Sequence, residues 1–483
     1  MKHRLVRLLL LLCMPALVLA QDVPLFTKDF TPAEFAQRRS QVYAAIGNGL
    51  ALLQGAPSPA GYTRFRQWND FYYLCGIEVP HAYLLLDGMT KTASLYLLHR
   101  NDARERFEGK LLSAADADLI KSLSGIDAVY PIDMLAEHLG RFMQRRPDRT
   151  VYVPFQPPEG IATSRDLAVR QNTDAASDPW DGGIGRSDRF IQLLKDRFPL
   201  FEVRDLSPTL DGLRLIKSPA EIRMIRRATR LAGLGLIESM KATKPGIMEF
   251  ELDAVAKYVF YRNGAQGEAY FSLVQSGPNA MFPHYNANKR KMQDGDFLLM
   301  DFAPDVGYYM SDVTRNWPVN GRFNSTQKEV YSFYLGCYNA ILDAIRPGVT
   351  AQIIKKEAVQ QMESLLSRTR FSKAIYEKGA RDFVESYKRG AGSPYTSLGH
   401  WVGMATHDVG PYGGPLKPGM VFTIEPALRV PEENINIRLE DMIVITEKGK
   451  DILSSFVPSE PDAIEKTMRG NGMLQDYPGD NTW

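Results

Sequence analysis

Along residues 27–205, short apolar runs alternate with amphipathic stretches. HAYLLLDG, TASLYLLH and RTVYVPF have the length and the branched or aromatic character of strands. TPAEFAQRRSQVYAAI opens on Thr31, carries Glu34 three residues later and continues as an amphipathic helix. Strands interleaved with helices predict an α/β unit. Residues 156–189 are rich in Pro, Gly, Asp and Ser and predict an exposed loop-like insertion.

A second unit begins near residue 213. SPAEIRMIRRATRLAGLGLIESMKA has Ser218 as cap, Pro219 in the first turn and Glu221 closing a capping box. Its apolar residues Ile222, Ile225, Leu231, Leu234, Ile237 and Met240 predict one long helix, which breaks at Lys244-Pro245-Gly246. The fold class is therefore α/β, in the broad sense that includes α+β. The expected division is a first domain over 25–210, a second over 213–455 and an irregular polar tail over 456–483.

Two strand pairs in the second unit carry acids where apolar residues are expected. FLLMD ends on Asp301, and YYMSDVT carries Asp312. With PDVG as the turn and Val306-Gly307 at its tip, Asp305 faces residue 308 and Asp301 faces Asp312. Asp305 itself reads as a surface turn residue. GMVFTIEPAL bears Glu425 and INIRLEDMIVIT bears Glu440. A turn centred on PEEN, 431–434, places Glu425 opposite Glu440. Directly opposed side chains have Cβ atoms roughly 4.5–5.5 Å apart, so paired carboxylates repel unless a cation or proton intervenes. Four carboxylates balance two divalent cations, and carboxylate-bridged pairs of metals about 3.5–4 Å apart are a known catalytic arrangement. Oxygen-rich ligation favours Mn²⁺, while a neutral imidazole also admits Zn²⁺ or Co²⁺.

Composition narrows the setting. The chain has 483 residues, enough for two or three domains and a large core. Its first twenty, a basic MKHRLVR followed by LLLLLCMPALVLA, predict a secretory signal peptide over 1–20 and export to the periplasm or the medium. The apolar run is short for a membrane anchor. The leader holds three of the 58 basic residues and no acid, so the remainder is close to neutral. Such a charge gives no reason to expect nucleic-acid or anionic-lipid binding. Past the leader only Cys75 and Cys337 remain, far apart and outside any CxxC pair, and two buried free thiols are expected.

In order and context, Asp301, Asp312, His400, Glu425 and Glu440 resemble the five ligands of the pita-bread metallopeptidases. DFAPDVGYYMSDVTR is similar to that family's paired-aspartate signature, LGHWVGMATHDVG to its histidine block, and GMVFTIEP and IRLEDMIVIT to its glutamate blocks. RFRQWNDFYYLCGIEVPHAYLLL, 64–86, is similar to the N-terminal domain of aminopeptidase P, itself creatinase-like. The resemblance implies that all five residues bind two metal ions, with Asp312 and Glu440 bridging. Glu425 would also shuttle protons for a metal-bridging hydroxide. His284 and His407 would contact substrate and stabilise the tetrahedral intermediate, and Arg438 would join them in binding substrate. The implied activity is removal of the N-terminal residue from peptides with proline second. Prolidase or phosphotriester chemistry on the same fold, and a catalytically silent peptide binder, are the alternatives. A homodimer or homotetramer is implied as well. One departure stands out: where the proline-specific members have a further histidine, four residues before the ligand histidine, this chain has Thr396.

Overall fold

The computed structural model describes residues 28–180 and 182–476. The expected signal peptide lies outside the described residues, as does the end of the tail.

The first domain is built on a six-stranded mixed sheet. Its strand order is Ala128–Pro131, Thr92–Leu97, Tyr83–Asp87, Leu50–Gln54, Thr150–Val153 and Glu202–Asp205. Leu50, Ala51, Leu52 and Leu53 are all buried, because helices cover both faces of that central strand. The helix Pro32–Ile46 starts where the capping residues predict, with Thr31 Oγ1 accepting from the Glu34 N–H at 3.3 Å. Residues 156–189 are not a loop throughout. They contain the helix Arg165–Ser177 and the start of Arg186–Arg197. Arg165–Ser177 is polar on nearly every side and buries Ala168 alone, so it carries no apolar stripe to betray it.

The second unit opens with Pro219–Ala242, whose Ser218–Glu221 capping box is formed as expected. Glu249–Arg262 packs beside it. The helices Ser325–Ala344, Ala351–Arg368 and Ala374–Ala391 pack on one another farther along the chain. Between these groups lie small antiparallel sheets. One joins Leu273–Ser276, Phe297–Asp301 and Thr314–Pro318; another joins Val421–Ile424, Asp441–Thr446 and Gly449–Ile452. A bridge between Thr314 and Glu440 links the two. The tail is also more ordered than its composition predicts. Pro461–Met468 is a helix with Pro461 in its first turn and Ile464 fully buried. Cys75 and Cys337 are free and buried.

The second acidic hairpin has the register its sequence predicts. Val421–Ile424 pairs with Asp441–Thr446, and Ala427–Val430 with Ile435–Arg438, both in the register that sets Glu425 opposite Glu440. The turn closes on Asn434 in the left-handed region, φ 54°. The first hairpin differs. Asp301 pairs with Thr314 rather than Asp312, and the tip lies at Gly307-Tyr308, one residue beyond Val306-Gly307. Both tip residues have positive φ, 59° and 72°, as a two-residue hairpin turn requires. A bulky residue is unfavourable there, and contacts with the first domain hold it. The Tyr308 ring stacks on Tyr72 at 3.5 Å, its hydroxyl accepts from the Gln67 N–H, and that hydroxyl donates to Glu78. A slip of two residues keeps Asp301 and Asp312 on one side of the hairpin, now as diagonal neighbours. Asp305 is not a surface residue: it is buried and pairs with Arg66 at 2.7 Å.

Candidate metal centre

Asp301 ends the strand Phe297–Asp301, and Asp312 precedes Thr314–Pro318. Glu425 and Glu440 flank the break in the second hairpin, where Pro426 interrupts pairing. His400 comes from a segment lying along Val421–Ile424: the Thr423 N–H donates to the His400 carbonyl at 2.9 Å, and Val402 N–H to Val421 at 3.0 Å. Close approach requires Gly399, since a Cβ there would stand 2.3 Å from the Thr423 carbonyl oxygen.

The His400 ring is oriented for ligation. Its Nδ1 is 3.2 Å from the Trp401 carbonyl oxygen, which can only accept, so Nδ1 carries the proton. Nε2 then faces the acids: Asp312 Oδ2 and Glu425 Oε1 at 3.4 Å, Glu440 Oε1 at 3.8 Å. Asp312, His400 and Glu440 each offer a ligand atom within 4.8 Å of the others. Two ligands about 2.1 Å from one cation, at tetrahedral or octahedral angles, are roughly 3.0–3.5 Å apart. The donor set fits a divalent metal on this spacing.

Electrostatics point the same way. Asp312 and Glu440 are buried, and their carboxyls are pushed well above the ordinary range. Burial is the main cause; the neighbouring carboxylates add to it. Thr314 Oγ1 donates to Glu440 Oε2 at 2.7 Å, but Oε1 is buried with no hydrogen-bond partner among the described residues. The Tyr270 hydroxyl lies 2.5 Å from Oδ1 of both Asp301 and Asp312. One phenolic hydrogen cannot satisfy two ionised carboxylates; Arg438 bonds to Asp301, so Asp312 is the one left needing a proton or a further cation. Tyr270 and Thr314 are site residues that sequence reasoning missed. Thr314 lies inside the quoted signature; Tyr270 sits in EAYFSL, which has no distinguishing pattern.

Arg438 stands inside this cluster. Its guanidinium bonds to Asp301 Oδ2, reaches Thr314 Oγ1 at 3.2 Å, and lies 4.0 Å from Glu425 Oε2. His407 is beside His400, with ring centroids 4.2 Å apart. Burial and His400 hold it below the ordinary imidazole value, against the opposing pull of Asp166. Both histidines line a cavity of about 460 Å³ between the domains, together with Asp166, Asp211 and Tyr412. His284 is not drawn in: it is exposed and makes no hydrogen bond or ion pair among the described residues. Thr396 is turned to Lys355, accepting from its ammonium at 2.9 Å.

The fold and this donor set define a pita-bread metallopeptidase behind an α/β domain. Residues 223–447 match metallopeptidase family M24, and residues 35–152 match the aminopeptidase P N-terminal domain. The Xaa-Pro aminopeptidase of Escherichia coli (strain K12) is 36% identical, covering 91% of this chain and 98% of its own. That of Haemophilus influenzae is 30% identical, covering 90% and 97%. The structure of Pseudomonas aeruginosa aminopeptidase PepP superposes with a TM-score of 0.74 at 28% identity, over 91% of this chain and 98% of that one. E. coli aminopeptidase P with the inhibitor Pro-Leu gives 0.74 at 29%, with the same coverage. The chain belongs to metallopeptidase family M24 and carries the aminopeptidase P N-terminal domain.

Proposed function

We propose that this protein is a metal-dependent Xaa-Pro aminopeptidase whose five-residue cage holds two divalent cations, manganese foremost. The observation that carries the reading is Glu440 Oε1, buried without a hydrogen-bond partner among the described residues and facing His400 and Asp312. A buried carboxylate oxygen left this way is costly unless an ion binds it. Divalent cations bound there would acidify water and polarise a peptide carbonyl.

The chain's own residues divide the remaining work. Asp301, Asp312, His400 and Glu440 bind, and Arg438 holds Asp301 in place. Glu425 is the most exposed of the four acids, its side chain 30% accessible, and Oε1 lies near His400 Nε2. That position suits a group that takes a proton and passes it to the leaving nitrogen. Proline in second position offers no N–H, so a site that cuts before it must not depend on one. We place the protein outside the cytoplasm, on the strength of the basic-then-apolar leader.

The test compares Arg-Pro-Pro, Arg-Ala-Pro and Gly-Pro after metal stripping and Mn²⁺ addition. Cleavage of Arg-Pro-Pro alone is expected, with Glu425→Gln lowering kcat at least 100-fold. Cleavage of Gly-Pro alone makes the protein a dipeptidase; full activity of Glu425→Gln removes the proton role.

A further inference from the structure

We propose that Asp166, a residue of the first domain, is the positioning residue for His407 in the second. The inference rests on the Xaa-Pro aminopeptidase reading and adds to it a role for the inserted helix. Two contacts carry it. Asp166 Oδ2 lies 3.1 Å from His407 Nδ1, and the His407 backbone N–H donates to Ser164 Oγ at 3.1 Å.

Both partners lie at the start of the helix Arg165–Ser177. Ser164 occupies its N-cap position, yet its hydroxyl makes no cap bond to the helix. It is buried, and it serves His407 instead. A serine in that position ordinarily satisfies the helix's own N–H groups. Diverting it to another domain fixes the backbone of His407, while Asp166 fixes the ring.

The ring contact has a chemical consequence. An ionised carboxylate only accepts, so the shared proton sits on His407 Nδ1. Nε2 makes no hydrogen bond among the described residues and belongs to a ring that lines the cavity beside His400. It is the nitrogen left for substrate. A carboxylate that selects the tautomer of a working imidazole is a recurrent device, and losing such a partner typically costs about 10–100-fold.

An acid in a helix's first turn also favours the helix dipole. That role would appear in thermal stability rather than in turnover. The Asp166 side chain is 56% exposed, so replacing it leaves no buried hole.

The experiment uses the full-length protein with Mn²⁺ and Arg-Pro-Pro. Asp166→Ala is expected to lower kcat/KM about 10–100-fold, with bound metal unchanged and Tm lowered only by the small loss at the helix end. Asp166→Asn, whose amide NH2 can donate to Nδ1 and favour the opposite tautomer, is expected to lose activity as Asp166→Ala does. In ¹⁵N-histidine-labelled protein, His407 should show a single Nδ1-protonated tautomer that Asp166→Ala converts to a mixture. Wild-type cleavage with unaltered kinetics in Asp166→Ala overturns the proposal. If wild type cuts none of the peptides, the enzyme reading fails instead. The tautomer measurement then decides alone, a mixed population in wild type counting against the proposal.

Discussion

Two acids of the cage, Asp312 and Glu440, are kept in a state that ordinary folding would not choose. In the metal-free chain, burial and neighbouring carboxylates raise the pKa values of Asp312 and Glu440. A carboxyl whose folded value lies above its unfolded value favours the fold while protonated and opposes it once ionised. Metal-free protein should therefore lose stability as pH rises from about 4, the unfolded carboxylate value, through the raised values. Melting curves in EDTA at pH 5 and pH 8 test the sign: Tm falls toward pH 8, and Mn²⁺ restores it. Glu440→Gln should melt above wild type in EDTA at pH 8, by less at pH 5, while losing metal and turnover. A variant that melts below wild type at pH 8 would mean that Glu440 is stabilised by protein contacts alone.

At the scale of elements, the two acidic hairpins differ in what local sequence could reveal. Glu425 and Glu440 face each other because PEEN sits symmetrically between alternating apolar strands, and that symmetry is visible in the residues. Asp301 and Asp312 were placed two residues out of register. The deciding interaction is Tyr308 docking on Tyr72, Gln67 and Glu78, over 200 residues away. The helix Arg165–Ser177 is illegible for a different reason: it buries Ala168 alone, and although Arg165 bonds to Glu159 of its own domain, Asp166 meets His407 across the domain boundary. Substitutions at two positions probe the elements that carry the candidate ligands. Gly399→Ala forces a methyl against the Thr423 carbonyl; it should displace His400 and abolish metal binding, read by metal analysis of the purified variant. Asn434→Val, at a left-handed turn position, should cost about 1–2 kcal/mol in denaturant unfolding. Asn434→Gly should leave stability close to unchanged.

Across the whole molecule, the first domain acts as a wall of the site. Arg214 is buried and bonds to Asp70, Glu159 and Asp408 at 2.7, 2.8 and 2.6 Å. It clamps the first domain to the loop that follows His407. Arg214→Met leaves three buried carboxylates short of a cation, with Lys217 and Arg165 nearby. Removing one partner of such a cluster costs about 3–5 kcal/mol, so the variant should show a markedly lower denaturation midpoint. The clustered Asp312, His400 and Glu440 were legible in sequence because each sits in a short motif, Asp312 sharing its own with Asp301. The cross-domain supports were not, since no motif records which carboxylate meets which arginine after folding. The central claim is that the caged acids exist to hold metal for peptide cleavage. Its most direct test is arginine release from Arg-Pro-Pro by stripped protein as Mn²⁺ is titrated in. The account predicts no release without metal, and a rise that saturates at two ions per chain. Release that persists in EDTA, or none at any Mn²⁺ concentration, would contradict it.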